Sequence, residues 1–155
     1  MVKKYFALSY NNSKGTPNWV SWRLTADDIG SAPRVAFYPD EDLPTGFVRI
    51  TPKDYTGSGF DRGHMCNHSD RSATPDSSHA TFVMSNMVPQ SPYVNQKAWD
   101  QLEAYCRQLA QQGPKHPQCS VFPLRNTVGK LHTAGRKITR ITGIYTDTCF
   151  RFPFM

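Results

Sequence analysis

Residues 59–71, GFDRGHMCNHSDR, set Asp61, Arg62, His64, Cys66, His68, Asp70 and Arg71 within a few positions of glycine and turn-forming residues. His64 follows a glycine among turn formers, which places it where a strand opens into a loop. Imidazole titrates near neutrality and takes a proton from water, so His64 is a candidate general base. Arg62 lies two residues away, a spacing that puts both side chains on one face of an extended segment. A guanidinium there holds a phosphate through two parallel hydrogen bonds. Each group also has a plainer explanation. His64 can be a hydrogen-bonded structural histidine, Arg62 the partner of Asp61 or Asp70, and Asp61 a turn cap.

Asn95 and Glu103 are eight residues apart in the one convincing helical segment. In a regular helix that spacing leaves roughly 80° of net rotation between them, two turns apart on neighbouring sides. Magnesium takes oxygen ligands and keeps several waters, so one amide oxygen with a carboxylate acting through water suits it. Alone, Asn95 reads as a helix N-cap, Glu103 as an exposed helix residue and Asn86 as a turn residue ending a buried strand. The run His64, Cys66, His68 raises zinc, but no second ligand pair stands at a familiar spacing. Ser85 and Ser91 lack GxSxG surroundings and no GxxxxGK is present, which removes serine hydrolases and P-loop enzymes.

The elements that must position these groups are those of an α+β domain. YFALSYN and WVSWRLT read as two strands joined by NSKGTPN, and FVRITPKDY as a short strand ended by TGSG. NHSDRSATPDSSH is a polar connector and TFVMSNMVP a buried strand. VNQKAWDQLEAYCRQLAQQG is a helix with Val94, Ala98, Leu102, Tyr105 and Leu109 at helical spacing, stopped by Gly113 and Pro114. Beyond that, only KITRITGIYT has strand character.

The chain's 155 residues suffice for one domain with a real core. The formal charge of +6 is unevenly spread. Residues 1–113 carry eleven bases and eleven acids, and the last 42 carry seven bases against Asp147 alone. The basic character therefore belongs to the tail and does not mark a phosphate-tracking surface around DRGH. No run of eighteen apolar residues is present, so no membrane partner is expected. The opening MVKKYFALSYNNSKG is too weakly apolar for a secretion signal. The four cysteines form no CxxC pair and leave the redox compartment open.

Taken in order, YTGSGFDRGHMC, TFVMSNMVPQ and NQKAWDQLEAYC resemble the DNA/RNA non-specific endonucleases, the ββα-metal group with the DRGH motif. The cyanobacterial sugar-non-specific type, to which LSYNNSKGTPNWVSWRL is also similar, is the nearest likeness, with the Serratia nuclease and endonuclease G as relatives. The resemblance runs from about Tyr5 to Gly113. It implies a ββα-metal (His-Me finger) fold, an antiparallel sheet with a metal-bearing helix, and Mg2+-dependent hydrolysis of phosphodiesters in DNA and RNA, with Mn2+ as a second admissible ion. By the same resemblance His64 is the general base, Asn95 the direct metal ligand, and Glu103 the residue that orients waters on the metal. Arg62 binds the phosphate, Arg34 stabilises the transition state, Asn86 orders site and substrate, and Asp61 is structural. Contacts confined to phosphate and sugar imply low base specificity.

After Gly113 the family pattern (an ELYIIAG-type strand, then VPxxxWKV) is not found. The expectation is an incomplete nuclease domain over 1–113 and a basic tail over 114–155 from a frameshift or truncation. The competing reading is an inactive truncated remnant that at most binds nucleic acid. The family suggests secretion or a periplasmic location. Any inhibitor protein and the oligomeric state stay open.

Overall fold

The computed structural model describes residues 1–112 and 118–121, the last four by backbone alone. The first hairpin forms as the sequence implies. Strands β1 (Ala7–Asn11) and β2 (Thr16–Arg23) pair antiparallel. In the turn between them Asn11 Oδ1 accepts from Ser13 Oγ and the Lys14 amide. Gly15 closes the turn at φ 68°, a left-handed conformation that it enters without a Cβ clash. Val20, Trp22 and Leu24 point inward at period two, with Leu8 across from Val20, and all four are buried. The strand β5 (Gln118–Val121) adds antiparallel to β2, giving the order β1-β2-β5. The strands β3 (Asp61–His64) and β4 (Met87–Gln90) make a second antiparallel pair, Asp61 opposite Gln90 and His64 opposite Met87.

The main core joins these pieces. Phe6, Leu8, Val20, Trp22, Leu24, Met65, Cys66, Val83, Val88, Trp99 and Ala110 form one buried cluster, each large side chain contributing about 1.5–3 kcal/mol of burial. A smaller cluster of Ile50, Tyr55, Met84 and Met87, with Phe37 and Val48 against it, lies beside His64. No helix among the described residues is long and apolar enough to cross a membrane.

Three sequence expectations are corrected. FVRITPKDY makes no strand. Thr51 N and Oγ1 both donate to Asp54 Oδ2 at 2.7 and 2.8 Å, and Pro52 opens a 3-10 turn, Pro52–Tyr55. Helix-start chemistry with proline at the first position outweighs the β-branched content. The connector NHSDRSATPDSSH is not a mere loop. It forms a 3-10 turn, His68–Arg71, and a helix α1 (Pro75–Ala80) behind the cap Thr74, and it buries His68, Asp70, Arg71, Ser72, Ser77 and Ser78. Those polar groups are satisfied internally. Asp70 accepts from Trp22 Nε1 at 2.9 Å and pairs with Arg107 at 3.1 Å, and Arg71 reaches Asp28 and the Tyr5 and Arg23 carbonyls. TFVMSNMVP is buried throughout, but only its end is strand; Met84–Asn86 is a 3-10 turn.

The long helix exists, with a different inward face. After a first helical step at residues 92–93 it passes through a π turn, Val94–Trp99, and continues as α2 (Asp100–Gln111). A π turn takes one residue more than an α turn, so the buried register moves by one after it. Trp99, Cys106 and Ala110 pack inward with Val94 and Leu102, in place of Ala98, Tyr105 and Leu109, and Tyr105 is 56% exposed. Cys66 is a buried free thiol. The strand expected in KITRITGIYT, residues 137–146, Cys149 and the side chain of Cys119 lie outside the described residues.

Candidate active site

His64 ends β3 and is only 8% exposed. Its ring meets Phe82 edge-on at 4.9 Å between centroids and lies tilted against Phe37 at 5.4 Å. Nε2 is buried with no hydrogen-bond partner among the described residues. Burial first, then the positive charge of Arg34, then His68, pushes the imidazole pKa down to about 3. The ring is neutral at neutral pH with one nitrogen uncommitted, the protonation state a base needs.

The two arginines stand on the same pair of rings. Phe37 and Phe82 touch at 5.3 Å between centroids. The Arg62 guanidinium lies 5.4 Å from the centre of Phe37 and 6.0 Å from that of Tyr55, with one nitrogen donating to the Pro52 carbonyl at 2.8 Å. Arg34, exposed, lies 5.1 Å over Phe82. Stacking on aromatic faces leaves guanidinium edges open to an anion. The salt bridges weighed for Arg62 do not form, since Asp70 is taken by Arg107 and Asp61 by two amides. The loop carrying Arg34 is pinned to the buried connector. Ser78 Oγ donates to the Pro33 carbonyl at 2.8 Å, the Ala32 amide donates to the Ser72 carbonyl at 2.9 Å, and His68 Nε2 lies 3.1 Å from the Ala32 carbonyl.

Asn95 and Glu103 are each tied to the segment that carries His64. Asn95 Nδ2 donates to Asp61 Oδ2 at 3.0 Å, before His64, and Asn67 Nδ2 donates to Glu103 Oε2, after it. The helix thus runs along residues 61–67 with His64 between the two ties. The π turn matters here. With one residue absorbed, the rotation from Asn95 to Glu103 is that of about seven α-helical residues, which brings them within about 20° of one face. Glu103 is 8% exposed, not the exposed helix residue that its sequence context allowed, and its Oε1 is buried without a hydrogen-bond partner among the described residues. Burial is the largest cause raising its pKa to about 8; the Asn67 bond opposes this.

Asn86 is fully buried. Its amide is committed to the Cys66 amide and to the Cys66 and Thr81 carbonyls, each at 2.9 Å. It can order the backbone just after His64 and has no surface with which to touch a substrate.

The residues fit a hydrated ion better than a closed protein cage. Among the described residues no group of three His, Cys, Asp or Glu side chains converges on one point, so the zinc arrangement weighed for His64, Cys66 and His68 does not assemble. The orphaned, buried Glu103 Oε1 is the observation that asks for a cation or for waters ordered by one.

Phe37, Phe82, Tyr55, Asn67, Gln90 and the buried connector were missed at the sequence level. Their contacts join segments far apart in the chain, and no local pattern signals them. For Gly63 alone the motif held a clue. A Cβ there would sit 2.1 Å from Gln90 Oε1, so the glycine of DRGH is the residue that lets Gln90 lie across β3.

An antiparallel strand pair presenting a buried histidine, flanked by arginines and by a helix with amide and carboxylate, is the arrangement of a ββα-metal nuclease. The family model for DNA/RNA non-specific endonucleases matches residues 1–131, and the chain belongs to that family. It is similar to the nuclease of a Nostoc species, 54% identical over 114 residues, covering 73% of this chain and 42% of that one. Mouse mitochondrial nuclease EXOG is 38% identical over 108 residues, 68% of this chain and 29% of that one. Among solved structures, that of the EndoG/EndoGI complex superposes with a TM-score of 0.73 at 30% identity, covering 84% of this chain and 55% of that one. The chain thus spans less than half the length of these two curated relatives.

Proposed function

We propose that this chain carries the catalytic centre of a Mg2+-dependent endonuclease that hydrolyses phosphodiesters of DNA and RNA. The observation that carries the reading is the bracketing of His64, with Asn95 tied in before it and Glu103 after it along residues 61–67. His64 is the general base. Its low pKa, set mainly by burial and only secondarily by Arg34, makes it a weak base in the free protein, and an anion held at Arg34 offsets that second cause. The phosphodiester itself therefore strengthens the base as it binds. Arg62, braced on Pro52, Phe37 and Tyr55, holds one non-bridging oxygen, and exposed Arg34 meets the charge that grows in the transition state. Asn95 would hold the ion directly and Glu103 through water. When bound, hydrated Mg2+ supplies charge neutralisation on the phosphate and an acidic water for the departing oxygen. Mn2+ suits the same oxygen donors.

The test is nicking of supercoiled plasmid with Mg2+, with EDTA, and by His64→Ala. Cutting is expected only by the parent with metal; His64→Ala cutting at the parental rate removes the base assignment. The competing reading is an inactive remnant that at most binds nucleic acid. A folded protein that binds DNA yet leaves plasmid intact with Mg2+ or Mn2+ selects it. The family resemblance further suggests secretion or a periplasmic site, checked by fractionation of the producing cells. A protein inhibitor is suggested by the complex in which the structural relative was solved, and co-purification checks it.

A further inference from the structure

We propose that Asp61 is a positioning residue that decides which end of the Asn95 amide is offered to the cation. The inference rests on the reading of Asn95 as the metal ligand and goes beyond it. A side-chain amide has a donor end and an acceptor end of nearly the same shape, and only the acceptor end can ligate a cation. Nothing within Asn95 chooses between them. Asp61 does, because a carboxylate only accepts. Its Oδ2 takes Asn95 Nδ2 at 3.0 Å and Gln96 Nε2 at 2.9 Å. With the NH2 group turned to Asp61, Asn95 Oδ1 faces away, and among the described residues no donor reaches it. A flipped amide would set two oxygens against each other at that distance, so the assignment follows from the chemistry of the pair.

Two features of the fold make the contact firm. Asp61 is the first residue of β3, paired with buried Gln90, so its backbone cannot drift. The π turn carries both amides. Adjacent side chains on a helix diverge and do not ordinarily share a partner; here Asn95 and the longer Gln96 reach one oxygen from consecutive positions. Asp61 thus anchors the widened turn and orients the residue within it. This is the outer-shell role that hydrogen-bonded carboxylates play behind metal-binding residues.

The alternative is that Asp61 matters only through its negative charge, and two substitutions separate the cases. Asp61→Asn removes the charge and keeps an oxygen that can accept from both amides, whereas Asp61→Ala removes the acceptor. The probe is Mn2+ alone, titrated and followed by its electron paramagnetic resonance signal, with thermal melting as the check on folding. Asp61→Ala is expected to weaken Mn2+ binding by about 10- to 100-fold, with Asp61→Asn staying within about threefold of the parent. Equal losses in the two variants, or no loss in Asp61→Ala, overturn the proposal. Asn95→Ala separates this from the underlying reading: if it binds Mn2+ like the parent, Asn95 is not the ligand. Should Asp61→Ala fail to fold, the unmodified protein still decides. Both side-chain NH2 protons of Asn95 exchanging at the rate of a free amide in metal-free NMR spectra show the bond absent and the proposal wrong.

Discussion

Deleting Ala98 isolates the contribution of the π turn. Ala98 is exposed and lies inside the turn, so its loss lets the segment close as regular α-helix. The part from Trp99 onward is held by Trp99, Ala110 and the Arg107–Asp70 pair, so the residues before the deletion must rotate. One residue of α-helix is about 100°, and a side chain reaching about 5–6 Å from the helix axis then moves by about 8 Å. A 3.0 Å bond from Asn95 to Asp61 does not survive that, and Asn95 leaves the face of Glu103. Lost bonds at the Asp61 edge cost about 1–2 kcal/mol, partly offset by the better α-helical geometry. Displacement of about an ångström can cost a hundredfold in rate, so the deletion should reduce Mg2+-dependent plasmid nicking by at least about a hundredfold. Far-ultraviolet circular dichroism and the melting temperature should change little. Parental nicking by a folded deletion variant would refute the idea that the π turn sets the register of the site.

Gly63→Ala should destabilise the fold by roughly 1–3 kcal/mol, because its Cβ meets the side chain of Gln90, which is 1% exposed. Adding Gln90→Ala should recover most of that loss in a thermal melt. His64, neutral when folded with a pKa near 3 against about 6.5 when unfolded, binds more protons unfolded. Its contribution to stability is complete above about pH 6.5 and falls as pH drops toward 3, by at most about 5 kcal/mol; His64→Gln should flatten that acid slope in melts run against pH. Glu103 has the opposite sign. Its carboxyl is raised to about 8 in the fold, so the metal-free protein loses stability as pH rises from about 4.5 to 8. Glu103→Gln should therefore equal or exceed the parent in metal-free melting temperature at pH 8 while losing Mg2+-dependent nicking. A parental alkaline slope in that variant would refute the account of the buried carboxyl.

Much of the site was legible because its chemistry sits in short, ordered motifs. DRGH places Arg62 and His64 two apart on one strand, and that strand forms. Asn95 and Glu103 were legible as residue types on a helix, but not their alignment. The π turn that leaves Ala98 and Tyr105 exposed and Glu103 buried is imposed by packing around Trp99 and by the tie at Asp61. Neither contact is local. The same holds for the connector, whose polar composition suggested a loop. Its Asp70, Arg71 and Ser78 find partners between 37 and 66 positions away only once the sheet and helix are in place.

By itself, then, the amino-acid sequence determined the family, the first hairpin, the strand bearing His64 and the residue types gathered at the candidate site. Those follow from side-chain chemistry and short-range spacing, which no distant contact can alter. Tertiary structure decided protonation and orientation: His64 held neutral between Phe37, Phe82 and Arg34, Glu103 raised by burial, and Asn95 turned by Asp61. A pKa and an amide rotamer are set by what surrounds a group in space, and those neighbours come from elsewhere in the chain.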